Sequence, residues 1–360
     1  MENADKVYID LQKHLDKQAV GFPATKSGVE IRVLKHFFNP EQASLALHLN
    51  YRPQSTLDIF DSVKSTGVSL EKVKNMLDTM ENTGAIGALE RNGIEHYFTM
   101  PLIVGMLEWH QNNLTPQFMA DFSEYSNSEF GRAYASTKTS QMRTVPVGKS
   151  IQAEHHITTY DNIRETIKGT DGPIVVAGCM CRKLAGSRGQ PCHKTSRVET
   201  CMGFGDWARH FIKAGSGRQI TNEEALEITR QNELDGLVLQ PNNYLKFDFV
   251  CACCGCCCGI LRIQKILPKP ALTWAHNYYS VIDTERCTSC GVCEERCQVN
   301  AIKMDKQSGY ATISLDRCIG CGNCAAICPT EALRLVRKEK ETVPPEDCTR
   351  LYEILAERKS

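Results

Sequence analysis

Cysteine is the residue type here with the most evident chemistry. The 360-residue chain carries 19 of them, and all but Cys348 fall into three clusters. The most regular cluster lies between Asp283 and Pro329. Cys287-Thr-Ser-Cys290-Gly-Val-Cys293-Glu-Glu-Arg-Cys297 is followed by Cys318-Ile-Gly-Cys321-Gly-Asn-Cys324-Ala-Ala-Ile-Cys328-Pro329, the same C-x2-C-x2-C-x3-C spacing twice. Three thiolates two residues apart on a tight loop each reach one iron of a 4Fe–4S cube, while the fourth points away and ligates the other cluster. On that logic Cys287, Cys290, Cys293 and Cys328 serve one cube, and Cys318, Cys321, Cys324 and Cys297 the other. Paired zinc ribbons also use C-x2-C, but zinc wants two separated pairs rather than four cysteines in so short a run.

The flanks repeat as well. Glu285-Arg286-Cys287 matches Asp316-Arg317-Cys318, and Ala301-Ile302 matches Ala332-Leu333 at the same distance after the last cysteine. A repeat in ligands and packing positions together marks a duplicated unit. On these residues, 280–337 resembles a bacterial dicluster ferredoxin domain. It departs from that pattern at Gln298, where a proline would follow Cys297, and this is expected to loosen the turn without removing a ligand.

Two further clusters lie upstream. Cys179 and Cys181 follow an apolar run, Ile174-Val175-Val176-Ala177. Cys192 and Cys201 follow in a stretch with Arg182, Lys183, Arg188, His193, Lys194 and Arg197. Four cysteines supply one cube's thiolates, and neighbouring cations would offset an anionic cluster and raise its potential. The third cluster is Cys251, Cys253, Cys254, Cys256, Cys257 and Cys258. Adjacent side chains diverge, so this run serves two sites or leaves some thiols free. Gly255 and Gly259 let the backbone turn sharply around a bulky inorganic group. The expectation is one or two more clusters, with Cys179, Cys181, Cys192 and Cys201 as one set and part of 251–258 as another. A site shared between the two stretches is the alternative, and zinc or plain thiols are the competitors. The 170–335 region as a whole resembles multi-cysteine ferredoxin-like proteins of anaerobes, a resemblance that names no activity.

Lysine plus arginine equals aspartate plus glutamate, 42 against 42, so no overall field favours nucleic acid or an anionic surface. No apolar run is long enough to span a bilayer, and residues 1–16 lack a signal-peptide core. The expected location is cytoplasmic, where so many cysteines are metal or redox ligands rather than disulfides. A dinucleotide fingerprint and a Walker loop are both missing from the sequence. His155-His156 is not expected to be a metal-ligand pair.

The elements that must position these thiols fall in order. Helices are expected over 1–20, 29–38, from Pro40 behind an Asn39 cap, over 55–64, and from Leu70 behind a Ser69 cap to Gly84. Strands 86–90 and 95–100 then flank Arg91-Asn92-Gly93. This order resembles a winged helix-turn-helix. Its charges argue against DNA: residues 1–110 hold fewer cations than anions, and Lys72 and Lys74 share their helix with Glu71 and Asp78. An aromatic stripe, Phe118, Phe122, Tyr125, Phe130 and Tyr134, is expected to be core. Strands and helices then alternate from Thr144 to Leu239, which reads as α/β.

The expected architecture is α+β and multidomain: 1–110 winged-helix-like, 111–140 a helical linker, 141–279 a cysteine-rich α/β domain, 280–337 a ferredoxin domain carrying two 4Fe–4S clusters, and 338–360 a charged tail. The expected function is single-electron relay, as a carrier or a subunit of a larger oxidoreductase complex, between a redox-protein donor and acceptor. It is an electron-transfer component rather than a catalytic subunit. The alternatives are a redox-sensing transcriptional regulator and an oxidoreductase using an unusual cluster in the middle domain.

Overall fold

The computed structural model describes residues 2–137, 139–150 and 159–359. The chain forms two compact units, each discontinuous in sequence. The first comprises Met1–Lys138, Arg209–Gly217 and Thr349–Ser360; the second comprises Thr139–Ala208 and Arg218–Cys348.

In the first unit the helix starts are set locally. Asn39 and Gln42 form a reciprocal capping box with Pro40 at the first helical position, Ser55 does the same with Asp58, and Ser69 accepts the Lys72 amide. These caps open helices Pro40–Ala46, Thr56–Val63 and Leu70–Asn82, preceded by Glu2–Asp16 and Val29–Phe37. Strands Gly87–Arg91 and Ile94–Phe98 pair antiparallel across Asn92 and Gly93, whose φ of 54° and 75° suits a two-residue hairpin turn. A third strand, Gln54–Ser55, adds to the outer side of Ile94–Phe98. With two residues it carries no periodicity, and sequence reading missed it.

The segment expected as a helical linker packs into this unit. Helices Pro116–Ser126 and Glu129–Ser136 bury Phe118, Phe122, Tyr125 and Phe130. The Tyr125 hydroxyl donates to Pro23 O at 2.9 Å, and Arg32 bridges Asp121 and Glu124 at 2.8 and 2.7 Å. The tail helix Cys348–Lys359 buries Leu351, Tyr352 and Leu355, with Tyr352 edge-on to Tyr51.

The second unit is built on a five-stranded sheet in the order Gly217–Ile220, Ile174–Gly178, Glu199–Phe204, Phe249–Cys253, Val238–Pro241. The α/β reading implies parallel pairing. Instead, the three pairings from Ile174–Gly178 through to Val238–Pro241 are antiparallel. Alternation of strand and helix does not set strand direction. After Ile174–Gly178 the chain makes one helix, Met180–Ser187, and returns by an irregular loop to the same end of the sheet, so no crossover is needed.

Residues 280–337, expected as a domain of their own, belong to this unit. Arg317 donates to Gln264 O, Lys265 O and Leu267 O, the C-terminal carbonyls of helix Gly259–Ile266. Arg296 donates to Glu233 O and Leu234 O, and Asn323 to Gly236 O and Leu237 O, at the end of helix Asn222–Leu234. A cation at a helix C-terminus satisfies orphan carbonyls and opposes the dipole. Among the described residues no helix is long and apolar enough to cross a membrane.

Candidate metal centres

The doubled cysteine run folds as two matching lobes. Gly291 and Gly322, both at φ 76°, precede helices Val292–Arg296 and Asn323–Ile327, whose C-caps are Cys297 and Cys328. Strand Tyr278–Ile282 pairs antiparallel with Leu333–Arg337, and Ile302–Met304 with Ala311–Ile313. The lobes differ where the backbone is crowded. Ser289 and Gly320 occupy matching left-handed positions, but a Cβ on Gly320 would meet Tyr278 O at 2.1 Å. At this position only the second lobe demands glycine.

Cys287, Cys290, Cys293 and Cys328 line one cavity with Ile282, Met304 and Leu333. Cys297, from the first lobe, lies among Cys318, Cys321 and Cys324 of the second. The two quartets sit in different surroundings. Cys318 and Cys324 are buried, and the Ser280 amide donates to Cys318 Sγ at 3.4 Å with its hydroxyl 3.3 Å from Cys324 Sγ. The Ala301 amide donates to Cys297 Sγ at 3.2 Å. Burial pushes the Cys324 thiol up to about 12, so binding a metal there displaces its proton. Cys290, by contrast, is exposed.

The ten middle cysteines divide differently from expectation. Cys179 follows the buried strand Ile174–Gly178 and caps helix Met180–Ser187, which carries Cys181 in its first turn. Cys201 lies on the neighbouring strand opposite Ala177. Since Met202 pairs with Val250, Cys201 comes beside Cys251, and Cys253 shares that face two residues on. Cys258 caps helix Gly259–Ile266. Each of these thiols touches two others. Cys179 meets Cys181 and Cys201, Cys258 meets Cys181 and Cys253, and Cys251 meets Cys253 and Cys201. The six close a ring. Hydrogen bonds from neighbouring thiols draw Cys201 and Cys253 below the ordinary thiol range, while the same contacts push Cys251 above it.

Cys192 stands apart from that ring, which corrects its expected grouping with Cys179, Cys181 and Cys201. The loop after helix Met180–Ser187 carries it away from the sheet face, to Cys254, Cys256 and Cys257. The four Sγ atoms all lie within 4.8 Å of one another. Burial opposes ionisation of Cys192, but the amides of Lys194 and Thr195 and the Arg182 guanidinium bring it down to about 6. Arg182 is the shared counter-ion. Buried itself, it donates to Thr200 Oγ1 at 2.5 Å and Ala252 O at 2.9 Å. Burial would lower its pKa, yet the thiols of Cys179, Cys254 and Cys201 hold it above the ordinary guanidinium value.

Gln298 is the residue whose role sequence reading missed. Its Oε1 accepts the Gly255 amide at 2.8 Å, and a Cβ on Gly255 would meet Gln298 O at 2.2 Å. The missing proline was its signal: the glutamine is buried and holds the turn that carries Cys254, Cys256 and Cys257. His155-His156 lies outside the described residues. Thiolate donor sets of this kind suit iron–sulfur clusters and zinc.

Comparison with known proteins agrees for the C-terminal part. The family described as a 4Fe-4S dicluster domain matches residues 286–332. The chain thus carries an iron–sulfur domain of that kind, embedded in a mixed helix-and-sheet fold. No curated protein matches the chain.

Proposed function

We propose that this chain is an electron-transfer protein that relays single electrons through two 4Fe–4S clusters at residues 287–328 and a further iron–sulfur centre held by the six-thiol ring. The observation that carries the reading is the arrangement of the doubled run: one quartet of cysteines around a cavity, and a second quartet completed by Cys297 from the other lobe. The residues fit the group, being four soft donors for each cluster with backbone and hydroxyl hydrogens aimed at sulfur. A cube supplies one-electron exchange with little rearrangement.

The chain's own residues set direction and potential. Exposed Cys290 marks the surface end of the path, where a partner docks. Ser280 and Ala301 donate to the inner quartet, and such hydrogen bonds raise a cluster's potential. Arg182 does the same for the ring. Donor and acceptor are redox proteins of an anaerobic, cytoplasmic setting, with the chain acting as a carrier or as a subunit of a larger complex.

A second reading takes the first unit as a winged helix and the chain as a redox-sensing regulator. The short strand Gln54–Ser55 beside the hairpin favours the winged-helix part. The charges favour a protein-docking role for it: Lys72 on the candidate recognition helix is bridged to Glu41 at 2.9 Å, leaving it less free for phosphate. A third reading, an oxidoreductase centred on the ring, rests on a thiol count above what one cube uses.

Iron and acid-labile sulfide per chain, measured after anaerobic purification, test the main reading. Two cubes give about eight of each, and a ring centre adds at least about four more. Fewer than about twelve irons in a fully folded preparation would remove the ring centre, and fewer than about eight would sink the reading altogether.

A further inference from the structure

We infer that Cys192, Cys254, Cys256 and Cys257 hold a single tetrahedral metal ion, zinc or a lone iron, separate from every iron–sulfur cluster in the chain. The inference rests on the middle cysteines being metal ligands, but not on electron transfer.

The geometry carries it. Cys192 Sγ lies 3.5 Å from Cys254 Sγ and 3.7 Å from Cys256 Sγ, and Cys256 Sγ lies 3.7 Å from Cys257 Sγ. A tetrahedral ion with metal–sulfur bonds of about 2.3 Å sets its four sulfurs about 3.8 Å apart. A cube must fit four irons and four sulfides between its thiolates, so it holds them farther apart. The same molecule supplies the contrast. Among the described residues no other three His, Cys, Asp or Glu ligand atoms lie within 4.8 Å of one another, and the eight cysteines of the dicluster segment are no exception. In the six-thiol ring each thiol touches only two of the other five, so no three of them come together as these four do.

The site is built to stay closed. Three ligands come from one turn, Cys254 to Cys257, in which the Cys258 amide donates to Cys254 O at 3.1 Å. That turn is gripped from two sides. Lys265 Nζ donates to Gly255 O at 2.8 Å, and Gln298 Oε1 accepts the Gly255 amide. The fourth ligand arrives on the loop, where the Lys194 amide donates to Cys192 Sγ at 3.4 Å and Lys194 Nζ to Glu295 O at 3.0 Å. The ion would therefore pin this loop between the cysteine turn and the first dicluster lobe. On loading, the thiols that are still protonated release their protons to solvent and four sulfur–metal bonds form, with no change of oxidation state.

The test uses the full chain, purified anaerobically. Zinc is counted directly, and a lone iron shows as one iron in excess of acid-labile sulfide, since cubes hold the two equally. The expected result is one such ion per chain in total. If it is zinc, X-ray absorption at the zinc edge should show four sulfur neighbours at about 2.3 Å and no metal neighbour. In Cys256→Ser, which alters a half-buried thiol, the ion should fall at least about tenfold in occupancy at limiting metal while sulfide stays constant. Loss of sulfide together with the ion in that variant would overturn the inference. So would nitrogen or oxygen ligands at the zinc edge, or a folded wild-type chain with neither zinc nor excess iron. The zinc-edge measurement needs no variant, so a misfolded Cys256→Ser does not block the test. Failure of electron relay with the ion present would count against the proposed function alone.

Discussion

Two residues other than cysteine shape the thiol sites. Arg182 is a buried cation whose guanidinium faces thiols of both middle-unit sites. Replacing it by methionine removes a positive charge from a poorly solvated place, which stabilises the oxidised form of an anionic cluster relative to the reduced one. Arg182→Met should move the midpoint potential of the ring centre to more negative values in an anaerobic redox titration, and Arg182→Lys should move it less. An unchanged potential in folded Arg182→Met would remove the counter-ion role. Gly255 matters for the room its missing side chain leaves. Its Cβ in Gly255→Ala would fall 2.2 Å from Gln298 O, a backbone atom that cannot swing aside. The variant should lose about 1–3 kcal/mol in anaerobic denaturant titration.

At the scale of elements, one buried ion-pair network ties helix Leu70–Asn82 to the segment Arg209–Gly217 inside the first unit. Glu81 accepts from His210 Nδ1 at 2.8 Å and pairs with Lys213 Nζ at 2.7 Å; the Glu81 and His210 side chains are almost fully enclosed. His210 stacks on Trp109 with ring centroids 3.7 Å apart. Burial raises the carboxyl's pKa, but the bonds from His210 and Lys213 outweigh it and hold the group below its usual 4.5. A carboxylate with a depressed folded-state pKa contributes stability that is full above its unfolded value and is lost as pH falls through the folded one. The first unit should therefore lose stability below about pH 4.5. Glu81→Gln should be less stable at pH 7 by about 2 kcal/mol and show a flatter acid limb. Thermal unfolding followed at pH 7 and pH 4 checks this, and parallel acid limbs in the two proteins would refute it.

For the whole molecule, the sharing of ligands between lobes has a consequence that local sites would not produce. Cys290→Ala should lose the paramagnetic signal of one cluster and weaken the other, because Cys297 and Cys328, at the C-caps of the two lobe helices, each serve the opposite lobe's cluster. Full retention of iron in that variant would break the proposed pairing. The first unit invites a separate measurement. A mobility shift on duplex DNA at near-physiological salt, with competitor present, should show no complex, as the acidic excess of residues 1–110 and the Lys72–Glu41 bridge imply. Sequence-selective binding there would promote the regulator reading instead.

Local chemistry made part of this protein legible in its sequence. The capping residues Asn39 and Ser69, the Asn92-Gly93 turn and the buried run before Cys179 each act within a few residues, and the structure has them where spacing put them. The doubled cysteine run was legible for the same reason, since three of every four thiols lie on one short loop. Nothing local told Cys192 from Cys201. One lies on a sheet strand beside Cys251 and the other on an irregular loop that reaches Cys254 and Cys256, so only the strand register and the path of that loop divide the middle thiols into six and four. Strand direction was hidden likewise, because the order of elements does not say to which end of a sheet the chain returns. Gln298 looked like a missing proline; the close approach of Gly255, more than forty residues earlier, makes it a clamp.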